Sequence, residues 1–228
     1  MTALADLAKA VGAPSRPVAR GVRSEATPPT GALNARTIAQ TLCVLLPENA
    51  ILIDEGATNG GPICDQTEGA RPHDLLKATN GGAIGNGLRL ALGAAVACPD
   101  RKTVVIQGDG CGMYTEQALW SMAREKANVT VVLLKNDDYA ILEIELARVR
   151  DGDANAKMET LMHLDNPTLN WVKIAEGHGV SATRATTGEE FHQQFAAAMS
   201  SKGPHLIEAQ IVENLGPTID AVHKAQVV

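Results

Sequence analysis

Three short segments are rich in oxygen-bearing side chains, the first two of them with glycines between: EGATNGG at 55–61, GDGCG at 108–112 and KNDDY at 135–139. In the second, Gly108 and Gly110 let the backbone turn sharply and come close to a ligand. A helix predicted to follow directly would aim its unpaired N–H groups at an anion such as a phosphate. Asp109 puts a carboxylate at the same spot, and a carboxylate repels a phosphate unless a cation lies between them. Magnesium suits that position, because it is held by one or two protein oxygens together with phosphate oxygens and water. Asn136, 27 residues further on, offers a neutral amide oxygen, and the backbone carbonyl of Asp138 a third ligand. GDG also fits an ordinary strand-to-helix turn with Asp109 as a local cap, and taken alone it leaves both readings open.

These segments must be positioned by the elements they leave. AILID (50–54), TVVIQ (103–107) and VTVVLL (129–134) are short apolar runs of the kind that form strands buried on both faces. Each of the three segments follows one of these runs. Asn34 is placed to cap a helix carrying Ile38, Leu42, Leu45 and Leu46, stopped by Pro47. A helix through 62–68, a short segment near 74–79, an Ala/Leu-rich helix ending at Cys98 and a helix over 113–126 fill the intervals. Beyond the third run, 139–149 reads as helix and 150–166 as a polar loop. A helix over 169–178 ends on Gly179 as its C′ residue, and a strand covers 180–184. Thr187 and Glu190 form a capping box for a helix to about Ser200, and HLIEAQI (205–211) is a last strand. Strands alternating with helices imply parallel βαβ units, hence an α/β fold: a doubly wound parallel sheet with helices on both faces. Ligands of such sheets bind beyond the carboxyl ends of the strands, where strand order reverses.

The N-terminal part reads differently. Residues 2–11 form a short helix with Leu4, Leu7, Ala8 and Val11 on one face. Four prolines between Ala13 and Thr30 then argue against helix and central strand alike. The expected organisation is a short N-terminal arm or linker over 1–30 and one α/β domain over 31–228.

With the spacing included, GDGCGMYTEQALWSMARE and NDDYAILEIEL resemble the C-terminal, diphosphate-binding domain of the acetolactate synthase and benzoylformate decarboxylase group of thiamine-diphosphate enzymes. The resemblance is strongest to acetolactate synthase-like members and covers nearly the whole chain. Residues 1–30 are similar to the end of that family's central domain plus its linker. It implies thiamine diphosphate and Mg²⁺ as cofactors, the metal held by Asp109, Asn136 and the Asp138 carbonyl. Gly108, Gly110, Cys111, Thr58 and Asn59 would meet the diphosphate, with Tyr139 and Ala140 beside it. Ile84, in TNGGAIGNG, matches the bulky residue that bends the cofactor into a V, and the Gly82 carbonyl would accept a hydrogen bond from its 4′-amino group. Read without the family, Ile84 is an ordinary core residue.

The sequence departs from the family pattern in several places. Cys111 stands where serine is common, so a weak thiol replaces a hydroxyl. Gly112 and Gly56 replace small side chains, which would loosen the pocket. Lys135 replaces the first Asn of a common pair. Asp137 and Asp138 put two carboxylates beside the metal, aiding a cation but repelling diphosphate. Leu142 stands where pyruvate decarboxylases carry a catalytic glutamate. Glu143, about 100° round the helix, reads as solvated, and the histidines read as surface residues. No catalytic side chain is assigned.

The family's pyrimidine-binding domain, which supplies an activating glutamate, finds no counterpart in these 228 residues. The expected function is therefore the diphosphate-domain subunit of a split enzyme acting on a small 2-oxo acid, by decarboxylation or acyl-carbanion transfer. Its partner would be a separate pyrimidine-domain subunit, in a homo- or hetero-oligomer. The alternative is a non-catalytic truncated homologue that binds Mg²⁺–thiamine diphosphate or regulates a partner. A generic nucleotide-binding domain is the weakest reading, since neither GxGxxG nor a P-loop lysine motif is present.

Composition narrows the classes further. Twenty Lys and Arg against 26 Asp and Glu give a net charge of −6, unsuited to nucleic acid or an anionic membrane surface. The 45% hydrophobic content fills a core, and 3% aromatic content argues against stacking platforms for single strands. Cys43, Cys64, Cys98 and Cys111 lack CxxC spacing, and no signal-peptide layout or long apolar run is present. A cytoplasmic protein with reduced thiols is expected.

Overall fold

A computed structural model describes residues 2–13, 27–78, 80–149, 155–212 and 215–226. The prolines at 14 and 17 and the tip of the polar loop at 150–154 lie outside the described residues. In chain order the elements are α1 (Thr2–Ala10), α2 (Ala35–Leu45), β1 (Ile51–Glu55), α3 (Gly60–Asp65), β2 (Asp74–Lys77), α4 (Gly87–Ala97), β3 (Thr103–Gly108), α5 (Asp109–Gly112), α6 (Ala118–Arg124), β4 (Val129–Lys135), α7 (Ala140–Val149), α8 (Ala156–Met162), α9 (Trp171–Gly177), β5 (Ser181–Ala185), α10 (Gly188–Ser200), β6 (His205–Gln210) and α11 (Gly216–Gln226). Short 3₁₀ turns cover Gln66–Gly69 and Asn80–Gly82.

The six strands form one parallel sheet in the order β2-β1-β3-β4-β6-β5. β1, β3 and β4 are buried along their whole length, as continuous apolar runs in a parallel sheet should be, whereas the edge strand β2 is exposed throughout. Side chains alternate between two cores. Leu52, Val104, Ile106, Val132 and Leu134 pack with Ile38, Leu42, Phe191 and Phe195 from α2 and α10. Ile53, Val105, Val131 and Leu133 pack with Leu88, Leu119, Met122 and Trp171 from α4, α6 and α9. Burying each such side chain contributes about 1.5–3 kcal/mol, so both sheet faces need their helices. Because the chain leaves β1 towards β2 and returns on β1's other side as β3, strand order reverses between β1 and β3. The crevice that results opens at the carboxyl ends of β1, β3 and β4.

Local signals account for most boundaries. Asn34 accepts from Thr37 N (3.1 Å) while Thr37 Oγ1 accepts from Asn34 N (2.9 Å), a reciprocal cap for α2. Gly179 takes φ +83° just past α9, the left-handed C′ conformation expected of it. Thr187 caps α10 through Glu190 N, but the Glu190 carboxylate accepts from Thr186 instead of closing the predicted box.

Three elements differ from expectation. The predicted helix over 113–126 is α6 alone, preceded by turns at 113–117, and DGCG itself forms the one-turn helix α5. Within the predicted polar loop lies α8, whose start is fixed by Asn155 accepting from the backbone N–H groups of Lys157 and Met158. Met162 at its end is buried. The chain also adds α11 after the last strand. Among the described residues no helix is long and apolar enough to cross a membrane.

Candidate functional site

The crevice is a cleft of about 290 Å³. Its lining includes Thr58, Asn59, Ile84, Gly108, Asp109, Gly110, Cys111, Asn136, Asp138, Tyr139 and Ala140, every residue expected at the site except Gly82. Gly82 lies on the exposed front of the neighbouring loop, at φ +71°. Glu55, Gly56, Ala57, Leu134, Ile141 and Ile211 complete the lining.

Asp109 sits at the tip of β3 and is buried. Its Oδ1 accepts from Gly110 N at 2.8 Å, and its Oδ2 from Asp137 N at 2.9 Å and Asn136 N at 3.2 Å. One carboxylate therefore braces the tip of β3 against the tip of β4. Burial pushes its pKa up, the three backbone N–H donors pull it down, and the nearby Asp137 carboxylate adds to the rise. A buried carboxylate with an amide side chain in the same lining is a donor set of hard oxygens, the type magnesium takes. These residues fit such an ion.

The expected helix N-terminus facing the anion is only the single turn α5, and Gly110 N is already engaged by Asp109. The dipole contribution is correspondingly smaller than a long helix would supply. The Tyr139 ring packs closely against Gly110: a Cβ there would lie 2.4 Å from its Cε1. Cys111 is a neutral thiol, its pKa raised to about 11 by burial and then by the Glu55 and Asp109 carboxylates. Ile84 is 44% exposed at the mouth, which is not the burial of a core residue.

Several departures read from the sequence have a different physical meaning. Gly112 does not loosen the cleft; a side chain there would strike the buried Trp171 ring at 2.8 Å. Gly56 likewise lets the loop lie against Gly60, whose Cα would be 2.7 Å from a Cβ. Asp137, in the left-handed region at φ +59°, has its carboxylate bound by the buried Lys135 ammonium and by Thr168 Oγ1 (2.7 Å). Its charge is thus offset, so Lys135 is a working part of the site's electrostatics. Ile141, not Leu142, lines the cleft. Glu143 is half-buried, with Asp138 and His163, in a group whose ligand atoms lie within 4.8 Å of one another. His163 Nδ1 stands 3.7 Å from Asp138 Oδ1. His192 and His205 are partly buried against Thr41 and Thr183, and burial lowers the pKa of both.

Glu55 was not among the expected site residues. It is buried at the end of β1, and its carboxylate accepts from Gly87 N (2.7 Å), Asn86 N (2.8 Å) and Gln107 Nε2 (2.9 Å). The signal was present: acidic residues ending an otherwise apolar buried strand must find partners. Asp54 obeys the same rule, accepting from Gly56 N (3.1 Å) and Lys77 Nζ (3.2 Å) and so holding the loop that carries Thr58 and Asn59.

A doubly wound sheet with a glycine-lined, carboxylate-bearing cleft at its switch point defines a class of α/β domains that bind phosphorylated cofactors. The chain belongs to the thiamine pyrophosphate enzymes: the profile of their C-terminal TPP binding domain matches residues 64–209. It is 47% identical, over 82% of its own length, to a Mycobacterium tuberculosis protein named after the acetolactate synthase large subunit, IlvX. It is 32% identical, over 78% of its length, to benzoylformate decarboxylase of Pseudomonas aeruginosa. The chain spans about a third of these relatives, 36% and 32% of their respective lengths. Its fold also matches the solved structure of the Rhodococcus jostii thiamine diphosphate-dependent 4-hydroxybenzoylformate decarboxylase. That match has a TM-score of 0.75 and 27% identity, and covers 93% of this chain and 39% of that one.

Proposed function

We propose that this chain is the diphosphate-binding part of a thiamine-diphosphate enzyme acting on 2-oxo acids, by decarboxylation or acyl transfer to a second carbonyl. The observation that carries this reading is Asp109: a buried carboxylate at one strand tip, bonded to the next strand tip, inside the cleft. In this reading Asp109, Asn136 and the Asp138 carbonyl hold Mg²⁺. Thr58, Asn59, Gly108, Gly110 and Cys111 receive the diphosphate, with Tyr139 and Ala140 closing the side. Ile84 presses against the organic part, and the Gly82 carbonyl accepts from its amino group. Thiamine diphosphate, when bound, supplies the capacity to stabilise negative charge on the carbon next to a carbonyl. The chain's own residues bind, orient and exclude water, and none of them is assigned as an acid or base.

Ile84, Tyr114 and Ile141 leave apolar side chains 44%, 57% and 45% exposed at or beside the mouth. This supports a partner that covers the cleft, which we take to be a separate subunit with a pyrimidine-binding domain, in a homo- or hetero-oligomer. The four free thiols support a cytoplasmic setting.

Calorimetric titration with Mg²⁺ and thiamine diphosphate tests the reading directly. Wild type is expected to bind only with the metal present, and Asp109→Ala to abolish binding while retaining the circular dichroism of the fold. Unchanged affinity in Asp109→Ala would remove the metal assignment. Turnover of a 2-oxo acid panel after mixing with a pyrimidine-domain subunit separates the enzyme from a binding-only homologue, which would stay silent.

A further inference from the structure

The loop over 80–86 joins β2 to α4, and its two ends are held very differently. Its front, residues 81–84, is exposed, and nothing lies within 4 Å of a Cβ built on Gly81 or Gly82. Its rear is fixed twice: Thr115 Oγ1 donates to the Gly85 carbonyl (2.8 Å), and Asn86 N donates to Glu55 Oε1 (2.8 Å). The next N–H, Gly87 N at the start of α4, donates to Glu55 Oε2 at 2.7 Å, and Gln107 Nε2 reaches the same oxygen at 2.9 Å. Contact at this joint is so close that a Cβ on Gly87 would lie 2.3 Å from Gln107 Oε1 and 2.8 Å from Glu55 Oε2. Charge-assisted bonds to a buried carboxylate are among the stronger hydrogen bonds in a protein. The reach of Ile84, two residues ahead of Asn86, is therefore set from β1.

We infer that Glu55 is a positioning residue: by latching the backbone of Asn86 and Gly87 to the end of β1, it sets the reach of Ile84 over the cleft. The inference rests on the cofactor reading above. It assigns Glu55 to the organic part of the ligand, through the 80–86 loop, and leaves the diphosphate and metal to Asp109 and the β3 and β4 tips. A glutamine at this position keeps the shape but must turn its amide N–H₂ towards one of the two backbone donors, whichever way it flips. At least one backbone N–H then loses its acceptor, and in the flip that faces Gly87 the Gln107 Nε2 donor loses it too.

The test compares two probes on the full chain by calorimetry, Mg²⁺–pyrophosphate and Mg²⁺–thiamine diphosphate. Glu55→Gln is expected to weaken the second at least about tenfold, the scale of one lost charged hydrogen bond, and the first by less than about threefold. Such a split is not produced by general loosening of the fold, which would weaken both. Gly87→Ala, which attacks the same joint from the loop side, should give the same split and decides the matter if Glu55→Gln does not fold. Equal weakening of both probes, or no change in a folded variant, would overturn the role of Glu55 and leave the cofactor reading intact. A wild-type chain that binds neither probe would overturn both.

Discussion

Gly110 shows how finely the cleft is set at the scale of single residues. Its missing Cβ is replaced by the Tyr139 ring, so Gly110→Ala must displace that ring or the backbone of α5. Overpacking of this kind costs about 1–3 kcal/mol. Gly110→Ala is expected to lower the denaturation midpoint accordingly, and Gly110→Ala/Tyr139→Ala to recover most of the loss, as a double-mutant cycle would read. Asp109 and Asn136 were legible in the sequence as residues at consecutive strand ends, and Cys111 through the family resemblance. Glu55 was missed although its signal was there, since a glutamate between an apolar run and a glycine also reads as the first residue of a loop. Lys135 and Asp137 were likewise read one at a time; only the left-handed turn at Asp137 brings its carboxylate onto the Lys135 ammonium.

Elements were read from the sequence wherever an apolar run or a cap dictated them. β1, β3 and β4 needed only their uninterrupted hydrophobicity, and α2 its Asn34 cap. What escaped was α8, a seven-residue helix whose single buried side chain is Met162 and whose start depends on one asparagine. Its end supports the site: Tyr139 N donates to Met162 O (2.8 Å) and Leu164 N to Asp137 O (2.7 Å), so α8 pins the loop bearing Asp137 and Asp138. Asn155→Ala removes the cap and should cost about 1 kcal/mol. Faster amide hydrogen exchange across 156–162, with β4 unaffected, is the expected signature. The predicted 113–126 helix begins only at Ala118, because turns in which Tyr114 N donates to Cys111 O (3.3 Å) and Thr115 N to Gly112 O (3.2 Å) precede it.

For the molecule as a whole, the sheet's other end carries its own charged device. Lys102, just before β3, is buried and donates to the Ala198 carbonyl (2.8 Å), Asn128 Oδ1 (3.1 Å) and the Ser201 carbonyl (3.4 Å). Burial lowers its pKa from 10.5 to about 8. Because the folded state holds this proton less tightly than the unfolded chain, the destabilising contribution of Lys102 is absent above pH 10.5 and grows as pH falls towards 8. Below that the contribution of this group is constant. Denaturant titrations from pH 7 to 10.5 should show wild type gaining about 1–3 kcal/mol on Lys102→Met across that window. A constant difference would remove the assignment. Lys102 and Asp109 bracket a six-residue strand, hence stand on the order of 20 Å apart. Thermodynamically they are strangers: hardening the scaffold at the amino-terminal rim should leave ion capture at the opposite rim untouched, and the two sets of changes should sum without cross-talk.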